Sequence, residues 1–201
     1  MEELSKLLLL FFVGSVAGFI NVMAGGGSTI ALPTLVFLGL NSALANGTNR
    51  IAILIQNISG IVSFKQEKYH KFKMSLKLAS FTLPGAIAGS FIAINTSDTL
   101  FQKILAYALI GIIVPLLVPR PNQKKIEDNK QYQRNLFIYP AMVLVGFYGG
   151  FIQAGVGFLL MASLYHLMGL DLVRVNMHKI FIVFIYTIPA LLIFFSHTMW
   201  T

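Results

Sequence analysis

The sequence predicts an all-α fold, a polytopic transmembrane helical bundle with two internal repeats, each containing a helix broken at glycine. Three observations carry that prediction. Of 201 residues, 56% are hydrophobic and only 11% are charged, with a mean hydropathy of +0.77; soluble domains usually carry about 25% charged residues. Apolar runs recur along the chain at lengths near the ~20 residues that cross a hydrocarbon core as helix. Finally, Gly25-Gly26-Gly27 and Gly155-Val156-Gly157 interrupt two of those runs at one shared offset.

The elements follow in order. Full spans are expected over 4–23, 46–64, 75–94, 99–118, 136–152 and 172–195. The first lacks a basic leader and a small-residue cleavage site, so it reads as a retained helix rather than a signal peptide. Two further segments, 28–40 and 158–170, are thirteen residues each, or roughly 20 Å as helix. Each starts just after a glycine break, as a half-helix or tilted broken span would. The polar stretch 119–135 opens with Pro119-Arg120-Pro121, which stops the preceding helix because proline removes a donor and disfavours helix before it.

An offset of 130 residues, without gaps, lays Ala24, Gly25 and Gly27 on Ala154, Gly155 and Gly157. It also lays Gly39-Leu40 on Gly169-Leu170, Asn41 on Asp171, Asn46 on Asn176 and Phe64 on Phe194. The matches concentrate on backbone-special residues, which argues for duplication. The predicted domains are therefore a first repeat over 1–118, a polar cytoplasmic linker over 119–135 and a second repeat over 136–201. Thr201 falls on Lys71, so the second repeat lacks its last two helices; truncation is preferred over their supply by a partner.

A net charge of +8 raises the question of nucleic acid, but placement answers it. Lys65, Lys68, Lys71, Lys73 and Lys77 form one cluster, and Arg120, Lys124, Lys125, Lys130 and Arg134 another. Both lie between apolar segments, where Lys and Arg mark the cytoplasmic side. Both chain ends are poor in Lys and Arg and fit the outside if each short segment counts as a crossing, which gives an odd number of crossings per repeat and an inverted duplication. Arg174 agrees with this scheme and Arg50, near an outer end, does not. With no cysteine, neither a disulfide framework nor a thiolate metal site is available.

Chemistry is expected at the two breaks. Backbone unwound at membrane depth is tolerated only where protein buries it or water reaches it, and matched breaks in two halves point to a transporter's binding site. Gly25, Gly26 and Gly27 free the chain from helical geometry, and Ser28 stands where an N-cap would. The amides of the next turn then lack internal partners and sit at the positive end of the helix dipole, which suits an anion. Gln153, Gly155 and Gly157 repeat the pattern, with Phe158 in place of the serine. The competing reading is close helix packing through small residues.

Asn46, Thr48, Asn49 and Arg50 open the following helix, and Asn176, His178 and Lys179 occupy the matched stretch. A cation thus appears in each half, able to bind an oxyanion or to snorkel to headgroups. Gln56 and Asn57, deeper in that helix, read as interhelical links or substrate contacts. His178 is a candidate proton shuttle; His70 and His197 read as solvated and His166 as packed. No HExxH, GxSxG or Walker loop and no paired intramembrane carboxylates appear, so no metal, cofactor or catalytic set is expected.

The stretch Ala24-Gly-Gly-Gly-Ser-Thr-Ile-Ala-Leu-Pro33, with Gly39-Leu40 and Ala45-Asn-Gly-Thr-Asn-Arg50, resembles the TauE/SafE, or sulfite exporter, family of membrane transporters. Gly155-Val-Gly157, Gly169-Leu-Asp-Leu-Val-Arg174 and Asn176 look like its second repeat. The resemblance implies a multi-pass permease of the bacterial inner membrane, moving sulfite, sulfonates or related sulfur-containing or organic anions. The expected partners are that small anion and the lipid bilayer, with no nucleic acid; a homo-oligomer is compatible. The alternatives are a membrane-embedded scaffold or assembly subunit and, less favoured, a membrane enzyme using His178 with Lys179.

Overall fold

A computed structural model of the chain describes residues 2–67, 72–117 and 136–200. The 119–135 linker with its basic cluster, together with Lys68, His70 and Lys71, lies outside the described residues, as does the side chain of His197. The described elements are helical: α1 (Glu2–Ala24), α2 (Ser28–Phe37), α3 (Ser42–Gln66), α4 (Phe72–Ile94), α5 (Asp98–Leu117), α6 (Ile138–Phe151), α7 (Val156–Met168) and α8 (Leu172–Trp200).

Two boundaries differ from expectation in ways that matter for function. The third helix was expected from Asn46 but starts at Ser42, because the Asn41 side chain accepts the Leu44 amide at 2.8 Å as an N-cap. Asn46 and Arg50 are therefore one and two turns inside the helix, not at its mouth. The sixth helix is 14 residues, about 21 Å long, rather than a full span. Among the described residues, the helices long and apolar enough to cross a membrane on those grounds are 4–24, 72–94 and 172–196. Polar Asn46, Asn49, Arg50, Gln56 and Asn57 dilute the 25-residue α3.

Several backbone features recur at the offset seen in the sequence. The positive-φ glycines Gly25, Gly39, Gly155 and Gly169 form two pairs 130 residues apart. Asp171 caps α8 by accepting the Arg174 amide at 2.9 Å, as Asn41 caps α3. Gly47 lies against Phe194 and Gly60 against Ile180. Numbers rise along α3 as they fall along α8, so the two post-break helices pack antiparallel.

The core forms where α4, α6, α7 and α8 meet, around Leu78, Met142, Leu160, Leu164, Ile182 and Tyr186. A second cluster joins Leu32, Phe101, Leu105, Phe151 and Phe194. Gly85 and Gly89 of α4 lie against the backbone of α6, and Gly146 and Gly150 of α6 against that of α4. Two glycines at i and i+4 on each helix let the backbones touch, the close approach that packs helices in lipid, where dispersion replaces the hydrophobic drive. In contrast, α1 exposes Leu4, Leu7, Leu8, Phe11, Phe12 and Phe19 and buries only Ala17 among its described core residues. That is a face suited to lipid.

Candidate functional site

The two breaks meet each other. α1 ends in a left-handed turn at Gly25 (φ 76°), and the chain after α6 turns at Gln153 (φ 68°) and Gly155 (φ 70°). A side chain rarely adopts such a φ without cost, and Gln153 is not a glycine. Gly25 packs backbone to backbone against Gly157, and Gly26 lies under the Phe158 ring. Gly27 sits on the Ala17 carbonyl of α1.

Ser28 is not the N-cap of α2. Gly27 holds that position in helical geometry with no side-chain cap. The Ser28 hydroxyl instead turns to the other break, donating to the Gln153 carbonyl at 3.3 Å and accepting the Gly155 amide at 3.4 Å. Several amides of the first turns do not point freely into the break. Thr29 and Ile30 donate back to Gly26 and Gly27 at 3.0 and 3.1 Å. Val156 and Phe158 donate to Gln153 and Gly155 at 3.3 and 3.0 Å. Tight turns of this kind are a common way to satisfy helix ends.

The N-termini of α2 and α7 therefore converge, while the C-termini of α1 and α6 lie beside them and carry partial negative charge. Each C-terminus receives a cation from the opposite half. Lys179 of α8 donates to the Asn21 and Val22 carbonyls of α1, both at 3.1 Å. Arg50 of α3 donates to the Gly149 carbonyl of α6 at 3.0 Å, to the Gly150 carbonyl, and to Gln153 Oε1 at 3.2 Å. Its guanidinium also stacks 4.7 Å from the Phe194 ring centre, a cation–π contact. Asn46 adds a bond to the Phe151 carbonyl at 2.8 Å. Arg50 and Lys179 are 0% and 2% exposed, so neither snorkels, and Arg50 does not count among the topology-setting charges.

Beside the meeting point lies a small cavity lined by Asn21, Gly25, Ser28, Ile53, Asn57, Gln153, Val156, Gly157, Lys179 and Val183. Its empty space is about 230 Å³ counting the open side, but the part a molecule could enter holds about one water. The polar lining favours donors. Lys179 brings an ammonium, and the buried Asn57 Nδ2 and Gln153 Nε2 have no hydrogen-bond partner among the described residues. Among the described residues, no carboxylate lines it.

Of the residues singled out in the sequence, Gly25, Ser28, Gln153, Gly157 and Lys179 come together here. Arg50, Asn46 and Gly155 stand behind them, engaged as described. Asn49 is buried off the cavity, Asn176 is half-buried, and Thr48 is exposed on the outer side of α3. His178 shares a 2.7 Å hydrogen bond with Ser75 of α4, so it and Lys179 turn to different neighbours. Gln56 is an interhelical link, accepting from Asn21 at 2.9 Å. Asn57, read from the sequence as an interhelical link or a substrate contact, faces the cavity. Arg50, Ile53 and Asn57 are spaced three and four apart, which puts them on one helix face, and that periodicity was the available signal.

A family model described as Sulfite exporter TauE/SafE matches residues 10–201. Among curated proteins, the chain is similar to a probable membrane transporter protein, ORF9, of Sinorhizobium sp, 27% identical and covering all of this chain and 78% of that protein. A probable membrane transporter protein of Haemophilus influenzae is 27% identical over 86% of this chain and 67% of its own length. The probable membrane transporter protein YfcA of Escherichia coli K12 is 29% identical over 87% and 65% respectively. No solved structure matches.

Proposed function

The chain belongs to the sulfite exporter TauE/SafE family of membrane transporters, and on that premise we propose that it is a secondary permease for a small anion. Sulfite, a sulfonate or a related sulfur-containing or organic anion is the substrate class, and the bacterial inner membrane is the setting. One observation carries the reading: among the described residues, the cavity between the breaks offers an ammonium, two unpartnered side-chain amide NH₂ groups and no carboxylate. Such a lining stabilises an oxyanion and penalises a cation.

Alternating access supplies the movement. The antiparallel packing of α3 on α8 is what an inverted duplication requires, and it supports one bundle rocking against the other around the break. The water-sized cavity belongs to a closed arrangement, so admitting an oxyanion needs Lys179 or the α1 end to shift. Lys179 is suited to that step because it faces both the cavity and the α1 carbonyls.

The test is anion flux into proteoliposomes holding the purified chain, with sulfite, simple sulfonates and small carboxylates as probes. Saturable flux of at least one, absent from empty liposomes, supports the proposal. No flux of any of them from correctly folded protein rejects it.

A further inference from the structure

Gln153 is buried at 0% exposure, and its amide has two chemically different ends. The oxygen accepts hydrogen bonds and the nitrogen only donates them. Two donors from two different helices converge on the oxygen: Arg50 Nη1 of α3 at 3.2 Å and the Tyr186 hydroxyl of α8 at 3.3 Å. With both donors on that side, the amide has a single orientation that avoids donor facing donor. The nitrogen is then turned the other way. Gln153 lines the cavity while Arg50 and Tyr186 do not, and Nε2 is the end without a partner. The left-handed backbone at Gln153 (φ 68°) further fixes where this side chain starts.

We propose that Tyr186 and Arg50 are positioning residues that lock Gln153 with its NH₂ toward the cavity, making Gln153 a specificity-determining donor for an anion's oxygen atom. This rests on the permease reading above. The arrangement also carries the influence of the Arg50 charge to the site without exposing the guanidinium. A charged donor on an amide oxygen polarises the amide and strengthens its N–H as a donor. Among the described residues the Tyr186 hydroxyl makes this one side-chain hydrogen bond, and it also lies against Gly149, so its loss removes one contact there while the ring stays in place.

Two variants of the full chain in proteoliposomes test this, with sulfite as the probe. Gln153→Glu keeps an acceptor for Arg50 and Tyr186 but presents an oxygen to the cavity. It is expected to raise KM more than tenfold, or to abolish flux, while the melting temperature in detergent stays near that of the unaltered protein. Tyr186→Phe removes one oxygen atom and leaves Arg50 alone to hold the amide. It is expected to raise KM by about three- to tenfold, the range of one ordinary hydrogen bond, with turnover nearly unchanged. A merely structural role for Tyr186 would instead lower stability and turnover together. Sulfite flux in both variants at the unaltered KM overturns the positioning role alone. Absence of sulfite flux in the unaltered protein moves the same comparison to whichever sulfonate or small carboxylate it carries, and absence of flux of all of them overturns the permease reading and this inference with it.

Discussion

Gly25 and Gly157 meet so closely that a methyl group placed on Gly25 would lie 2.5 Å from the Gly157 Cα. The contact is between backbones, which cannot move aside as a flexible side chain can, and it joins the end of α1 to the start of α7.

Gly25→Ala is therefore expected to separate the two breaks or to prevent folding. Gly39→Ala is the matched control: its φ of +96° is also left-handed, but no atom lies within 4 Å of an added methyl. The control should show only the backbone cost, about 1 kcal/mol. Thermal unfolding in detergent would distinguish them. Equal melting temperatures for the two variants would show that the contact is unimportant.

Arg50 and Lys179 look alike in the sequence yet predict different phenotypes. Arg50→Met strips three hydrogen bonds from a fully enclosed site and should destabilise by about 3–5 kcal/mol, as truncations of large buried, bonded side chains do. Lys179→Met removes the cavity's cation but retains the aliphatic stem. It should insert normally and raise KM for the anion by about 10–100-fold, the worth of one charge-assisted contact. Melting curves and flux kinetics on the same preparations provide the comparison.

Ser28→Ala would leave the Gly155 amide buried without its acceptor and the Gln153 carbonyl without this donor. A loss of about 1–3 kcal/mol is expected from the orphaned donor. No change in stability would mean that the breaks are held together by packing alone.

The chain has no cysteine, so a single Asn57→Cys variant gives an unambiguous label. If the cavity opens to water during transport, a membrane-impermeant thiol reagent should modify position 57 from one side of the bilayer. Added substrate anion should slow the reaction. Complete inertness under transport conditions would mean that Asn57 is not on the path.

Much of the fold was legible because lipid imposes simple demands. Helix length and apolarity placed α1, α4, α5 and α8 within a few residues, and glycine marked both breaks. The start of α3 is not set by apolarity: Asn41, whose place in the repeat is its visible sequence feature, caps the helix before the apolar run begins. Apolarity alone places Arg50 at a helix end, where a long cation snorkels at little cost. The cations in both halves were visible, but their acceptors are main-chain carbonyls, and carbonyls have no sequence signature. The same holds for Ser28, whose type suggested a local cap and whose actual partners lie 125 and 127 positions away.

By itself the sequence determined the class of solvent, the rhythm of helices, the two points of rupture and the sign of charge beside them. These are local or compositional properties, set by transfer free energy and by the freedom of glycine. Tertiary structure alone decided that each cation closes the broken helix of the other half, and that Asn57 and Gln153 bring spare side-chain donors to the cavity. The reason is that a buried polar atom takes whatever partner packing brings within about 3 Å, and that choice is made between segments a hundred residues apart.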